Sequence, residues 1–147
     1  MKTAIHKLQT VLQQAEQYFA AASESALEIP IAEGKWSRKQ ILGHLVDSAI
    51  NNLTRFTEIG HRPQPYIYRE YKQQELVEAN QYQSMPIAEL FQLWLSLNKQ
   101  IIRIMQSQTN ERLNLKIQFT DGSISDLRYI MIDYPEHLEH HINQIIS

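Results

Sequence analysis

Two histidines four residues apart, His137 and His141, are the side chains in this 147-residue sequence best spaced for chemistry. On a helix that spacing sets two imidazoles about one turn apart on one face, where both reach a single metal ion. His140 points a quarter-turn or more away, toward solvent. Imidazole suits zinc, nickel, iron or copper, and catalytic sites usually combine three protein ligands with an open position. Only His44 among the remaining histidines borders an apolar helical arc; His6 and His61 fall in solvated or loop positions. A set of His44, His137 and His141 leaves a position for water or substrate, where a metal lowers the pKa of bound water toward ~7. Paired helical histidines also occur with no metal at all, and spacing alone leaves that alternative open.

The neighbours of these histidines narrow the chemistry. The run H-L-E-H-H at 137–141 lacks the glutamate spacing of H-E-x-x-H or H-x-x-E-H. Glu136 and Glu139 lie off the histidine face, so no general base is evident there. Asp47, three residues after His44, is placed either to orient an imidazole as an outer hydrogen-bond acceptor or to be a plain surface carboxylate. Gln144 follows the pair closely enough to hydrogen-bond a ligand or another helix. Along one border of an apolar arc, His44, Ser48, Asn51 and Arg55 form a polar stripe, which lines a cleft or is an ordinary helix shoulder. Asn98 falls in the middle of an apolar face, where a buried amide needs partners. It either bonds a neighbouring helix or lines a pocket. Asn51, Arg55 and Asn98 are the candidates for holding a substrate.

Helices must position these groups. Residues 123–147 form one amphipathic helix with Leu127, Ile130, Met131, Tyr134, Leu138, Ile142 and Ile145 on one arc. Pro135 inside it removes a donor and frees the Met131 carbonyl, so a kink is expected. Residues 2 to about 24 give a first helix with a stripe from Ile5 to Ala22. The second opens on Ser37 and Gln40, a capping-box pair with Trp36 before it, and runs to about Gly60. The third spans about Met85 to Ser107 with Pro86 in its first turn.

The connections are distinctive too. Residues 61–84 crowd two prolines and four tyrosines into a polar crossover, with a short helix from about Arg69 to Ala79. Loops this long in compact domains are often functional, and the tyrosines either form one lip of a pocket or pack on the bundle surface. Around Asp121-Gly122 the alternation predicts a small hairpin, Leu113 to Phe119 with a return near Ile124. Ser125 is the expected cap of the last helix. The whole chain, 1–147, then reads as one all-α four-helix bundle.

Composition excludes several classes. A formal charge of −2 with scattered lysines and arginines argues against nucleic-acid binding. Without cysteine there is no disulfide framework and no thiol nucleophile. A thiol, if used, must arrive with the substrate. No apolar run approaches the ~18 residues of a membrane span, and the N-terminus is polar, so a cytoplasmic protein is expected.

The segments KWSRKQILGHLVDS (35–48) and YPEHLEHHINQI (134–145) resemble the two signatures of the DinB-like family of metal-dependent enzymes. The likeness covers essentially the whole chain. It implies an up-down-down-up bundle and a divalent metal, zinc, nickel, iron or manganese, on His44, His137 and His141. It further implies a homodimer, with no DNA-binding role. Some relatives in that family transfer or isomerise with low-molecular-weight thiols, so a small-molecule substrate and thiol-S-transfer are the leading expectation. A coordinated thiol is readily deprotonated, which favours transfer of a thiolate to an electrophile. Hydrolysis, a non-catalytic metal- or ligand-binding stress-response protein, and a dimerisation module are the alternatives.

Overall fold

Ser37 starts the helix that carries His44, by the full reciprocal box. Its hydroxyl accepts from the Gln40 N–H, and the Gln40 carboxamide oxygen accepts from the Ser37 N–H. In the computed structural model, which describes all 147 residues, this helix is one of four long ones. In chain order the elements are α1 (Lys2–Ala21), α2 (Glu24–Leu27), α3 (Arg38–Glu58), β1 (Tyr66–Ile67), α4 (Gln73–Ala79), α5 (Ile87–Gln106), α6 (Asn110–Leu113), β2 (Lys116–Gln118), β3 (Ile124–Asp126) and α7 (Leu127–Ile146).

Long-range contacts fix the directions of the four long helices. Arg38 Nε, at the start of α3, donates to the Ile145 carbonyl at the end of α7, 2.8 Å away. Phe56, near the end of α3, packs edge-on against Tyr134, in the first half of α7. These two helices are therefore antiparallel. Lys39 pairs with Glu24, whose carboxylate also accepts from the Ile87 N–H that opens α5. Arg112, just past the end of α5, reaches the Phe56 carbonyl. So α3 and α5 run parallel. Phe19, at the end of α1, meets Phe91, at the start of α5, which makes that pair antiparallel. The result is the up-down-down-up order.

Two parallel neighbours need a connection as long as the bundle. Residues 59–86 supply it, and they build one wall of the site as they climb back along α3. The crossover is pinned twice. Tyr66 and Ile67 pair in parallel with Ile117 and Gln118, turning the expected hairpin into a three-stranded sheet. Higher up, Asp47 on α3 accepts from the Tyr82 hydroxyl at 2.6 Å and from Asn80 at 2.9 Å.

Several boundaries differ from the sequence expectation, each for a local reason. Ser125 pairs with Ile117 in the β-ladder, so Asp126 caps α7 by accepting from the Tyr129 N–H. The helix starting at residue 123 is thereby shortened. Pro86 sits at the N-cap of α5, outside the first turn, and the crossover helix starts at Gln73. Ser23 caps a separate short turn, ending α1 at Ala21. Pro135 is accommodated within a continuous α7.

Asn98 is wholly buried in the core. Its amide donates to the Trp94 carbonyl, and its oxygen accepts from the Tyr134 hydroxyl at 2.8 Å. It is a tie between α5 and α7, and its place as a substrate-holding residue is corrected accordingly. Tyr134→Phe strands a buried acceptor and should cost about 1–3 kcal/mol, whereas Tyr134→Phe with Asn98→Leu should recover most of that loss. Urea denaturation midpoints check both. No helix is long and apolar enough to cross a membrane.

Candidate functional site

Each ligand candidate sits where its helix phase puts it. Antiparallel packing of α3 on α7 brings the first third of α3 against the second half of α7. His44 meets His137 and His141 there. One ring nitrogen from each lies within 4.8 Å of the others. The imidazoles stand edge-on in all three pairings, with centroids 4.7–5.4 Å apart. The Trp36 ring packs tilted against His44, with centroids 5.3 Å apart.

The cluster has the donor set and spacing that a cation takes. His44 is 1% exposed, and neither of its ring nitrogens has a hydrogen-bond partner. An unpaired buried polar atom costs about 1–3 kcal/mol, so the fold carries a penalty here that a coordinating ion would relieve. Gln144 Oε1 lies 2.8 Å from His141 Nδ1. Because that oxygen only accepts, Nδ1 carries the proton and Nε2 keeps its lone pair free. Ser48 Oγ lies 3.4 Å from His137 Nδ1.

Burial also keeps the imidazoles neutral, the form that ligates. It pushes His44 down to about 4, helped by the charges of His141 and His137. His137 is likewise pushed to about 4, by burial and by His141 and His140. Burial lowers His141 too, against the opposing bond to Gln144.

This has a consequence for metal-free protein. Between pH 6.5 and about 4 the unfolded chain binds a proton at His44 that the folded chain refuses. Stability is therefore complete above 6.5 and is lost as pH falls toward 4. At about 1.4 kcal/mol per unit, His44 alone accounts for about 3 kcal/mol. For a chain of this length that is about 6–12 °C in thermal midpoint. Midpoints of metal-free protein across this range should show that drop, and a His44→Leu variant should show less of it.

Beside the cluster opens a cavity of about 790 Å³. Its walls are α3 (Ser48, Asn52, Arg55), the crossover (Tyr68, Glu70, Tyr71), the hairpin (119–121 and 123–125) and α7 (Tyr129, Asp133, Tyr134, His137). Two of the crossover tyrosines thus line the pocket. Tyr66 and Tyr82 instead bond Glu58 and Asp47.

The other expected site residues divide. Arg55 lines the cavity. Asn51 does not: one step of 100° around α3 turns it off the cavity and Asn52 onto it, although both amides bond back to the carbonyl four residues earlier. Asp47 is neither an imidazole acceptor nor a surface group; it is the buried anchor of the crossover. Glu136 and Glu139 turn away to Lys7. Asp133 and Tyr129 escaped notice in the sequence. They stand four and eight residues before His137, a periodicity that marks them as sharing its face.

Comparison with known proteins agrees with this architecture. Residues 7–145 match the DinB superfamily. A Halalkalibacterium halodurans protein named "Putative metal-dependent hydrolase" is 26% identical over 113 residues, 77% of this chain and 65% of that relative's length. A protein of the same name from Bacillus cereus is 27% identical over 126 residues, covering 84% of this chain and 70% of the relative. Among solved structures, Bacillus subtilis YfiT superposes with a TM-score of 0.87 at 22% identity, over 99% of this chain and 83% of that one. It is described as a probable metal-dependent hydrolase with an unusual four-helix bundle topology. A mycothiol-dependent maleylpyruvate isomerase superposes with a TM-score of 0.78 at 10% identity, over 98% of this chain and 60% of that one. The family match over nearly the full length and the shared bundle lead to one assignment: the chain belongs to the DinB superfamily.

Proposed function

We propose that this chain is a metal-dependent enzyme acting on a small molecule, with His44, His137 and His141 holding a divalent ion. The observation that carries the reading is the convergence of three neutral imidazoles at the edge of a cavity large enough for a small substrate. A divalent ion bound there supplies Lewis acidity, lowering the pKa of a thiol or water that it ligates.

The chain's own residues do the rest. Gln144 bonds the His141 ring, and the crossover and hairpin supply two walls of the pocket. Ser48 and Asn52 offer polar contacts on its α3 wall. To Asp133, one turn before His137 and lining the cavity, we assign the role of taking the proton shed by the nucleophile. Thiol-S-transfer is the reading we favour, because the chain has no cysteine and the cavity has room for a thiol and an electrophile together. Hydrolysis is the second reading, supported by Asp133 and by the names of the sequence relatives.

The test begins with elemental analysis of protein purified without a His-tag or chelator, beside His137→Ala. Metal present in stoichiometric amount and lost in the variant is the expected result. Equal metal in both sinks the proposal. The metal-loaded protein is then offered low-molecular-weight thiols with an epoxide or aryl halide, and nitrophenyl esters in parallel. Consumption of thiol with electrophile supports transfer, and release of nitrophenol alone supports hydrolysis.

A further inference from the structure

We infer that Arg55 is an anion-binding residue of this cavity and that the substrate carries a single carboxylate. This rests on the small-molecule reading above and names the class of molecule. Arg55 is 4% exposed, yet it enters none of the chain's ion pairs, which join Lys7, Lys39 and Arg62 to glutamates. A guanidinium stays charged at any physiological pH, and a buried charge without a counter-ion is costly. Such a group, lining a cavity, calls for an anion from outside the chain.

The local geometry leaves the guanidinium ready for one. Tyr68 stacks on it with the central carbon 3.9 Å from the ring centroid, and Tyr71 lies at 5.9 Å. Stacking covers a face of the group and leaves its N–H edge available. Nη2 donates to the Arg69 carbonyl at 2.7 Å, and Nη1 reaches Asn52 only at 3.4 Å. Nε donates to nothing in the protein. A carboxylate meeting the free edge makes the paired, parallel hydrogen bonds that this fork favours.

The charges around the mouth limit how many negative groups the ligand brings. Glu70, Asp121 and Asp133 line the same cavity, against Arg55 as its one permanent cation. Glu70 accepts from Thr120, and Asp121 accepts from Ser123. With a divalent ion on the histidines, Arg55 and the ion together offset those three carboxylates and no more, so each further negative charge of a phosphate or polycarboxylate goes uncompensated. A monocarboxylate matches the arrangement, with its far end directed toward the histidines.

The experiment uses benzoate and its neutral counterpart benzamide as probes, read by the NMR signal of the Arg55 side-chain N–H and by calorimetry. Wild type and the metal-deficient His137→Ala protein are titrated alike. Benzoate should shift the Arg55 signal saturably in both proteins, and benzamide should not. Arg55→Lys should keep part of the affinity. Arg55→Gln should lose at least about tenfold, roughly 1.4 kcal/mol, with metal content unchanged. The inference is overturned if benzamide binds as well as benzoate, if the Arg55 signal stays still, or if benzoate binding disappears with the metal. Should Arg55→Gln fail to fold for want of its bond to Arg69, the wild-type N–H signal still decides. Metal content reports separately on the three-histidine proposal, so either idea can fail alone.

Discussion

His44→Leu is expected to abolish stoichiometric metal binding and, at the same time, to make the metal-free protein more stable. The two effects have one cause. His44 is buried with both ring nitrogens unpaired, a state that serves no purpose in a metal-free core. Leucine has a comparable size and no polar atom, so it should remove a penalty of about 1–3 kcal/mol. Loss of a ligand should weaken metal affinity by more than the 10–100-fold typical of removing an outer hydrogen-bond partner. Metal added at about 1,000 times its dissociation constant should raise wild-type stability by about 4 kcal/mol and leave the variant unmoved. Thermal midpoints with and without zinc, nickel, iron or manganese measure both halves at once. If the metal-free variant is less stable than wild type, His44 is an ordinary packed histidine. If wild type gains nothing from any ion, the metal proposal falls with it.

How much of this was legible in the sequence follows from how local each interaction is. The phase of His137 against His141 is set within one helix, and the Ser37–Gln40 box fixes where His44 falls on another. Spacing therefore marked all three as candidates, and the packed helices bring them together, but their role as a ligand set came from the family resemblance. Partners reached across the chain were less visible. A polar residue on the apolar arc at Asn98 was plain, but nothing nearby signalled that Tyr134 supplies its bond. Asn51 and Asn52 differ by one step of 100°, and the crossover lying over α3 decides which of them meets the cavity. Asp47 became an anchor because Asn80 and Tyr82 arrive from that crossover. The strand Tyr66–Ile67 is two residues long, too short for an alternation pattern, and exists only through pairing with β2. Ser125 lost its capping role to the same ladder. The type of Arg55 was readable, but its lack of a carboxylate partner is a property of the packed molecule.

The crossover's upper anchor makes the other large prediction. Gly43→Ala should destabilise the protein by about 3–5 kcal/mol, on the scale of severe overpacking. In an ordinary helix interior the same change stabilises by up to about 1 kcal/mol. Gly43 is one residue before His44 within α3, and Tyr82 packs directly on its backbone. A methyl group there would lie 2.2 Å from Tyr82 Cδ2 and 2.6 Å from its Cβ. Contact so close to the Tyr82 backbone cannot be relieved by rotating the ring tip, so the turn itself must lift. Lifting it strains the 2.6 Å bond to Asp47, a buried carboxylate whose second oxygen already lacks a partner. Tyr82→Gly removes the obstacle, Cβ included, at its own cost of at least about 3–5 kcal/mol. In that background Gly43→Ala should change sign and stabilise, a coupling far outside additivity. Urea unfolding of the two single variants and the double variant tests this. Additive losses would mean that Tyr82 is not what requires glycine at this position. A reversal would tie the backbone beside His44 to the crossover that walls the cavity.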